Sequence, residues 1–320
     1  MQKVLISGYN GFVGSNLTNF FSEYYLIGVD LLPGNSVKQH VDWQYIQTVT
    51  DINTIIHLAG KAQDTSNISR PEDYFEINLG LTQKIFDYFL QSTAQKFIFF
   101  SSVKAIADTL TGEILTEDDT PNPLTPYGQS KLAAEQYILS KTIPTGKQVY
   151  ILRPCMIHGS GNKGNLKLLY SLVQKRLPWP LGAFKNFRSF TSIGNLMFII
   201  RELIEKDIRP GIYQVADDEP LSTNELIEMM ALSQNRKPMI WQIPKGIIRA
   251  LAKVGDIIHL PLNSERLEKL IDSYVVSNQK LKSALGITRL PVTSKEGLKH
   301  TLESFNATRI ANNQSNEANN

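Results

Sequence analysis

The sequence predicts an α/β fold with a doubly wound parallel sheet and a smaller C-terminal domain. Short apolar runs alternate with helical patterns over the first half of the chain, which is typical of a parallel sheet covered by helices. The first run, residues 3–7, leads into the glycine-rich turn GYNGFVG and then into a helical pattern through Phe21. Beyond residue 160 the sequence pattern changes to glycine-rich and proline-rich turns between helical stretches.

These changes of pattern predict three segments. Residues 1–160 form the sheet domain, and residues 161–305 form the smaller domain, with some crossing of the chain between the two. Residues 306–320 are rich in asparagine and other polar residues, which predicts a disordered tail. A capping box made by Ser222 and Glu225 predicts the start of a helix in the smaller domain.

The composition is that of an ordinary globular protein of 320 residues, with 42% hydrophobic and 20% charged residues. A net charge of +3 without a dense Lys/Arg block argues against a nucleic-acid partner. The single cysteine, Cys155, cannot form an internal disulfide, and no signal-peptide pattern is present, so a cytoplasmic location is expected. Because no apolar run approaches the ~18 residues of a membrane span, no membrane insertion is expected.

Residues 246–262 are the most apolar stretch of the second half, but Arg249, Lys253 and Asp256 interrupt them. This pattern predicts a core-facing helix or a lid over a site. A helix lying on a membrane surface is the alternative interpretation.

The glycine-rich turn is a candidate dinucleotide site. Gly8, Gly11 and Gly14 follow the spacing G-x-x-G-x-x-G rather than the commoner G-x-G-x-x-G. Glycine permits the tight turn and the close approach of backbone to a pyrophosphate, and the start of the following helix offers N–H groups and a favourable dipole. A glycine-rich turn of some other α/β protein is the alternative.

Residues at later strand ends extend this candidate site. Asp30 ends the strand at 26–30, where a carboxylate would meet the adenosine ribose, and no arginine follows closely to bind a 2′-phosphate. This favours NAD over NADP, with a strand-end turn aspartate as the alternative. Asp42 follows a third strand end and is placed near the adenine, although a turn or an exposed edge explains it nearly as well. The strand at 54–60 runs into small residues, which allow a cofactor to approach closely, so its last three residues are placed at the cofactor site: Leu58, Ala59 and Gly60.

The stretch YGQSK carries the candidate catalytic pair. Tyr127 and Lys131 are four residues apart on a predicted helix and therefore share one face. A fixed positive charge favours the phenolate, so we expect Lys131 to lower the pKa of Tyr127 toward the operating pH. Ser102 ends the strand at 96–100, and its hydroxyl can hydrogen-bond the same substrate oxygen. A surface tyrosine with a nearby lysine is the alternative.

Together, GYNGFVG, HLAG, Ser102, YGQSK and LRPxxIHG occur in an order that resembles the extended short-chain dehydrogenase/reductase family, in its nucleotide-sugar epimerase/dehydratase branch. The resemblance implies a Rossmann domain that binds NAD and a smaller C-terminal domain that binds the substrate, a UDP-sugar. It implies that Tyr127 is the acid/base at the sugar oxygen, that Lys131 lowers its pKa and binds the nicotinamide ribose, and that Ser102 hydrogen-bonds the reacting oxygen.

The resemblance also implies roles for residues around this centre. Backbone N–H groups of Phe12 and Val13 would bind the pyrophosphate with the three glycines, and Pro154, which closes the strand at 149–153, would line the cofactor site. Asn165 and Arg188 would contact the diphosphate of the substrate, a role for which guanidinium is chemically apt. A surface arginine is the alternative for Arg188.

The sequence departs from the 4,6-dehydratases of the family. Those enzymes carry an Asp-Glu pair after the catalytic hydroxyl, whereas Val103 and Lys104 follow Ser102 here, so dehydration is not expected. Lys104 either reaches the substrate or contacts only solvent. His158 replaces a usual tyrosine and is interpreted as a packing substitution, and His57 is interpreted as an interior residue.

The expected function is therefore redox chemistry at C4 of a UDP-linked N-acetylhexosamine, or of its 4-keto-6-deoxy form, in surface polysaccharide synthesis. The enzyme would act as a 4-epimerase or as a 4-ketoreductase with NAD, without a metal. The helices near residues 81–90 and 132–139 could form a homodimer bundle by family analogy. A non-catalytic NAD-sensing protein on the same fold is the rival, but it has no need of Ser102, Tyr127 and Lys131 together.

Overall fold

The computed structural model describes residues 1–62, 69–110, 112–162, 164–258 and 263–318. Within these ranges the chain forms nine strands: β1 (Lys3–Ser7), β2 (Tyr25–Val29), β3 (Gln39–Val41), β4 (Thr54–His57), β5 (Lys96–Phe100), β6 (Gln148–Pro154), β7 (Met156–His158), β8 (Phe190–Ser192) and β9 (Gly211–Val215). Seven of them form one parallel sheet in the order β3-β2-β1-β4-β5-β6-β9, while β7 and β8 pair separately. The order reverses between β1 and β4, which confirms the predicted doubly wound sheet.

The same ranges contain eleven α-helices: α1 (Phe12–Phe20), α2 (Pro71–Tyr74), α3 (Leu81–Gln91), α4 (Pro126–Leu139), α5 (Asn165–Gln174), α6 (Ile193–Glu205), α7 (Thr223–Leu232), α8 (Lys245–Ile258), α9 (Ser264–Ile271), α10 (Gln279–Leu285) and α11 (Ser294–Ala318). A π-helical turn, Phe75–Gly80, joins α2 to α3. The predicted capping box is present at the start of α7, where Ser222 accepts from the backbone of Glu225 and Glu225 accepts from that of Ser222.

Each strand of the sheet divides its side chains between two cores, because successive strand residues point to opposite faces. In β1, Ile6 packs into the core that contains α1 and α6, whereas Leu5 packs into the core that contains α3 and α4. Ile98 and Phe97 of β5 divide in the same way. The sheet is therefore buried on both faces, and its carboxyl edge is the part left for a site.

The second half of the chain builds its own core and also returns to the sheet. Leu166 of α5, Ile227 of α7, Ile248 of α8 and Leu302 of α11 belong to one buried cluster. Residues 193–215, however, form α6 and β9, which cover and extend the sheet. The second half of the chain thus contributes both to its own core and to a core of the sheet, and the division near residue 160 stays a prediction.

The last helix differs from the prediction of a disordered tail after residue 305. α11 runs from Ser294 to Ala318, and Leu298, Leu302 and Phe305 anchor its first part in the second core. A helix that is already nucleated and anchored propagates through residues that contain neither proline nor glycine, which composition alone does not reveal. Among the described residues, no helix has both the length and the apolar composition needed to cross a bilayer.

Candidate active site

The glycine-rich turn lies at the carboxyl end of β1, where the strand order reverses. Gly8 has φ +74°, and a Cβ placed on it would lie 2.6 Å from the backbone N of Ala59. A Cβ on Gly14 would collide with the carbonyl oxygen of Gly8, and the N–H of Gly11 donates to that oxygen at 3.1 Å. The close approach of this turn to the residue after β4 therefore requires glycine at positions 8 and 14.

The turn presents the start of α1 to this edge of the sheet. Gly11 is the N-cap, so the backbone N–H groups of Phe12 and Val13 belong to the first turn, whose amides have no intrahelical acceptor. The free N–H groups and the helix dipole favour an anionic pyrophosphate, and the glycines leave room for it. The residues present therefore fit a dinucleotide. Gly60 adds to this fit, because a Cβ there would lie 2.8 Å from Oδ1 of Asn78 and 3.1 Å from Nζ of Lys131.

Asp30 follows β2 and is tied to the glycine-rich turn. Its Oδ2 accepts from the backbone N of Asn10 at 3.0 Å, and its Oδ1 accepts from that of Leu31 at 2.8 Å. Each carboxylate oxygen can accept more than one hydrogen bond, so acceptor capacity for ribose hydroxyls remains. Asp42 follows β3 and is exposed, with its Oδ1 3.3 Å from Nε2 of His40, so its contact with an adenine stays a prediction.

The structure brings the candidate catalytic hydroxyls together. Tyr127 lies in the first turn of α4, where Pro126 occupies the first position and Thr125 caps the helix by accepting from the backbone of Gly128. The hydroxyl of Ser102, which follows β5, lies close enough to the phenol of Tyr127 to favour its ionised form. The ring of Tyr127 packs edge-on against Tyr74, with 6.3 Å between centroids.

The prediction that Lys131 lowers the pKa of Tyr127 is wrong for the chain by itself. Burial raises the pKa of Tyr127, and this outweighs the effect of the nearby Ser102 hydroxyl, which lowers it. The ammonium of Lys131 instead donates to the carbonyl oxygen of Phe100 at 2.9 Å. Because the loss of hydration of a buried phenolate is the largest effect here, Tyr127 is held in its protonated form.

A buried ion pair next to Lys131 was not predicted from the sequence. Glu135 accepts from Nε of Arg153 at 2.9 Å and from its Nη2 at 2.6 Å, and the hydroxyl of Ser101 also donates to it. Burial lowers the pKa of Lys131 to about 8, and the charge of Glu135 opposes that shift. The only signal in the sequence was an acid four residues after Lys131 on the same helix.

Asn78 is a second residue that the sequence did not single out. It is fully buried on the π-helical turn, where its amide donates to Oγ of Ser130 at 2.9 Å and to the carbonyl of Lys61 at 3.1 Å. Its Oδ1 accepts from the backbone N of Lys61 at 2.7 Å. Asn78 therefore fastens the loop after β4 to the catalytic helix. The rare π-helical geometry that aims its side chain there is not indicated by a local sequence pattern.

Both histidines interpreted as interior residues are buried. His57 lies between Oγ of Ser7, 2.6 Å from its Nδ1, and Oγ1 of Thr82, 3.0 Å from its Nε2. Burial lowers the pKa of His57 to about 3, so the imidazole is neutral. His158 has Nδ1 2.9 Å from Oγ1 of Thr301, which links β7 to α11. Both contacts agree with packing roles.

The residues after Ser102 provide no carboxylate. Val103 is buried in an apolar cluster with Cys155 and Val276. Lys104 donates through Nζ to the carbonyl oxygen of Asp108 at 2.7 Å and lies 4.2 Å from the ring centroid of Tyr274. Burial is the main cause that lowers the pKa of Lys104. Lys104 is therefore half-buried, two residues after the candidate catalytic hydroxyl of Ser102.

Arg188 comes from the second half of the chain and faces the same region. It donates to the carbonyl oxygens of Lys269 and Asp272, the latter at 3.2 Å from Nε. Its charge is close enough to contribute to lowering the pKa of Lys104. Asn165, in contrast, is the exposed first residue of α5, and its contact with a substrate stays a prediction.

Pro154 ends β6 and is paired in register with Val215 of β9, at the carboxyl edge where the cofactor residues lie. Its contact with a cofactor also stays a prediction. Among the described residues, no group of three or more His, Cys, Asp or Glu side chains could hold a metal ion.

Comparison with known proteins places this site in a family. A model described as the NAD dependent epimerase/dehydratase family matches residues 4–216. A UDP-glucose 4-epimerase of Vibrio cholerae is 28% identical, with 95% of each chain covered. An N-acetyl-alpha-D-glucosaminyl-diphospho-ditrans,octacis-undecaprenol 4-epimerase of Escherichia coli O157:H7 is 24% identical, with 94% of this chain and 95% of that protein covered.

Solved structures support the fold. The UDP-glucose 4-epimerase of Thermotoga maritima with UDP-glucose superposes with a TM-score of 0.75 at 20% identity, over 96% of this chain and 99% of that chain. A UDP-glucuronic acid 4-epimerase from Bacillus cereus in complex with NAD has a TM-score of 0.73 at 18% identity, with the same coverage. At these identities the similarity establishes a shared architecture.

Proposed function

Starting from the fact that the chain belongs to the NAD dependent epimerase/dehydratase family, we propose that it catalyses redox chemistry at C4 of a UDP-linked hexosamine, foremost as a 4-epimerase. The proximity of Ser102 and Tyr127 carries the proposal, because it places two hydroxyls at the carboxyl edge of a sheet whose glycine-rich turn fits a dinucleotide. The names of the relatives from V. cholerae and E. coli support the position C4 and a hexose or N-acetylhexosamine substrate that is linked through a diphosphate.

The residues of the glycine-rich turn, Asp30 and Lys131 would hold NAD. When bound, NAD accepts the hydride from C4 and returns it. Asp30 would accept hydrogen bonds from the ribose and repel a 2′-phosphate, which favours NAD over NADP. Titration of the protein with both nucleotides tests this preference, and tighter binding of NADP would contradict it.

The chain itself would move the proton of the C4 hydroxyl. Tyr127 would exchange this proton with the sugar oxygen, while Ser102 would hydrogen-bond the same oxygen and hold it in place. Burial raises the pKa of Tyr127, so the phenol is protonated in the chain by itself. A second candidate is a 4-ketoreductase that acts on the 4-keto-6-deoxy form, since it needs the same proton transfer in one direction only.

Dehydration across C5 and C6 does not fit the site. It requires a base for the C5 proton and an acid for the departing hydroxyl, whereas Val103 is buried among apolar side chains and Lys104 is held by a carbonyl oxygen. A non-catalytic NAD-binding protein would need neither Ser102 nor Tyr127 in their observed contact, so this rival is less well supported.

One experiment separates these functions. Purified protein is denatured and its supernatant is assayed for nucleotide, and the native protein is incubated with a panel of UDP-sugars whose products are identified by NMR. Retained NAD together with interconversion of two C4 epimers, without added cofactor, would support the epimerase. Consumption of NADH only with a 4-keto sugar would support the reductase. A 4-keto-6-deoxy product from a UDP-hexose, or no turnover of any sugar, would refute the proposal.

A further inference from the structure

The outer side of α8 carries apolar side chains that the described chain covers only by about half. Ile248 and Ala252 pack into the second core, as predicted for a core-facing helix. Ile247, Leu251 and Val254 follow one another at i, i+4 and i+7, and they are 53%, 53% and 47% exposed. They therefore form a second apolar stripe beside the buried one. A surface helix of a globular protein typically has a single apolar stripe, which faces the core.

The remaining side of α8 is cationic. Lys245, Arg249 and Lys253 are exposed and follow one another at i and i+4, so they share one face. Asp256 is the acid of this helix, and its carboxylate accepts from the backbone and the hydroxyl of Ser264 at 2.8 and 2.6 Å. Three cations thus oppose an exposed apolar stripe, the pattern of helices that lie in a membrane interface.

Neighbouring residues extend the same character. Trp241 precedes α8 and is 52% exposed, and tryptophan is a residue that favours the boundary between lipid and water. A groove of about 360 Å³ between α5 and α7 includes Met239, two residues before Trp241. Arg176 and Lys237 line this groove together with apolar side chains. Basic and apolar side chains therefore lie side by side around this groove as well as on α8.

We propose that this region docks the protein onto an anionic lipid bilayer through the α8 surface, which consists of Trp241, Ile247, Leu251 and Val254 with Lys245, Arg249 and Lys253. With the apolar stripe in the interface, the cationic face lies within one helix diameter, ~10 Å, of the headgroups, which is about a Debye length. Lysine is depleted in protein–protein interfaces, so a bilayer fits this surface better than a protein partner.

Vesicle co-sedimentation tests the α8 surface directly. The whole protein is mixed with vesicles of phosphatidylcholine alone or with added phosphatidylglycerol, and the bound fraction is measured at low and high salt. We expect binding to the anionic vesicles that weakens with salt. Ile247→Ser with Leu251→Ser, and separately Lys245→Glu with Arg249→Glu and Lys253→Glu, should each lower the partition coefficient by about tenfold or more.

A matched control is Leu139→Ser, because Leu139 is also an exposed leucine on a helix but lies on α4. It should leave vesicle binding unchanged, and thermal melting shows whether each variant is folded. Absence of wild-type binding to anionic vesicles, or equal binding by the α8 variants, would overturn the proposal.

Two further results would assign the α8 surface to another occupant and would also overturn it. Concentration-dependent dimerisation that Ile247→Ser with Leu251→Ser abolishes would identify a second copy of the chain. If the same double variant lost turnover on a soluble UDP-sugar but still bound vesicles, α8 would be a lid over the site. Vesicle binding is measured without substrate, so its outcome is independent of the proposed C4 chemistry.

Discussion

The edge of the sheet that carries Tyr127 and Lys131, here called the catalytic edge, differs from the region of Lys104 and Arg188, here called the substrate side. The difference lies in how their polar groups are hydrogen-bonded. At the edge, Lys131 donates to the carbonyl of Phe100 with the carboxylate of Glu135 nearby, and Glu135 itself is paired with Arg153. On the substrate side, the hydrogen bonds of Lys104 and Arg188 go to main-chain carbonyl oxygens. The carboxylates of Asp108 and Asp272 lie near these two cations, but the hydrogen bonds of both cations go to neutral acceptors, so an anionic ligand can still add charge-assisted hydrogen bonds. The edge is therefore built in advance, whereas the substrate side gains from a ligand that brings negative charge.

Removing the phenol from the catalytic edge should have the largest effect. Tyr127→Phe removes the proton-transferring hydroxyl without changing the shape of the ring, so we expect kcat to fall by ~10²–10⁴-fold. Nucleotide binding and thermal stability should stay near the wild-type values. Steady-state kinetics on the C4 reaction, with nucleotide titration, measure both.

The same helix supplies the control for this prediction. Tyr137→Phe also removes a phenol from α4, but that hydroxyl donates to Asp87 at 2.6 Å on the outer side of the sheet unit. It should leave kcat within about threefold of wild type. If Tyr127→Phe kept more than half of the wild-type kcat, Tyr127 would not be the acid/base.

Breaking the ion pair beneath the edge should cost nearly as much in free energy. Glu135→Ala leaves Arg153 buried without its carboxylate, and we expect a loss of ~3–5 kcal/mol in the free energy of unfolding. Glu135→Leu with Arg153→Met replaces the pair by apolar side chains and should recover most of that loss. Urea unfolding measures both variants. A double variant as unstable as the single one would show that the hydrogen bonds, not the unpaired charge, dominate.

The grouping of the candidate catalytic residues at one edge of the sheet could be predicted from the sequence, because local patterns define their positions. Gly8, Asp30 and Ser102 each follow a short apolar run, and in a parallel sheet such positions meet at one edge. Tyr127 and Lys131 share a helix face by their spacing alone. The direction of the pKa shift of Tyr127 could not be predicted, since it depends on how deeply the packed structure buries the ring.

The substrate side could be predicted only in part, because its contacts join residues far apart in the chain. Arg188 was identified, but its bonds to Lys269 and Asp272 arise from the packing of α9, which no local pattern specifies. The same holds for Lys104 on the ring of Tyr274. The helical course of α11 beyond residue 305 was missed for a related reason, since its anchor is tertiary.

The buried ammonium of Lys131 should give the edge a pH-dependent stability. Its pKa in the folded protein is about 8, below the ordinary value of 10.5, so between these values the unfolded chain binds more protons and stability rises with pH. Relative to Lys131→Met, which lacks the charge, the wild type should gain about 2 kcal/mol between pH 7.5 and 9.5. Urea unfolding at both pH values measures this difference. A difference that stays constant would place the pKa of Lys131 outside this window.

On the substrate side, a substitution should weaken binding more than it slows the chemistry. Arg188→Ala removes a cation that we expect to contact the diphosphate equally in the ground state and the transition state, so KM should rise about tenfold while kcat changes little. Arg188→Lys keeps the charge but loses the planar guanidinium group, so its KM should lie between those of the wild type and Arg188→Ala.

Because Arg188 also bonds to the carbonyl oxygens of Lys269 and Asp272, a fall in melting temperature must be separated from lost binding. Arg201→Ala is the matched control, since Arg201 pairs with Glu23 on the helical layer near α1 and should leave KM unchanged. Uridine diphosphate alone, titrated into wild type and variants, reports the diphosphate contact without the sugar. If Arg188→Ala bound uridine diphosphate as tightly as wild type while kcat fell, Arg188 would act on the reacting sugar, and the contrast between a prebuilt edge and a ligand-dependent side would fail.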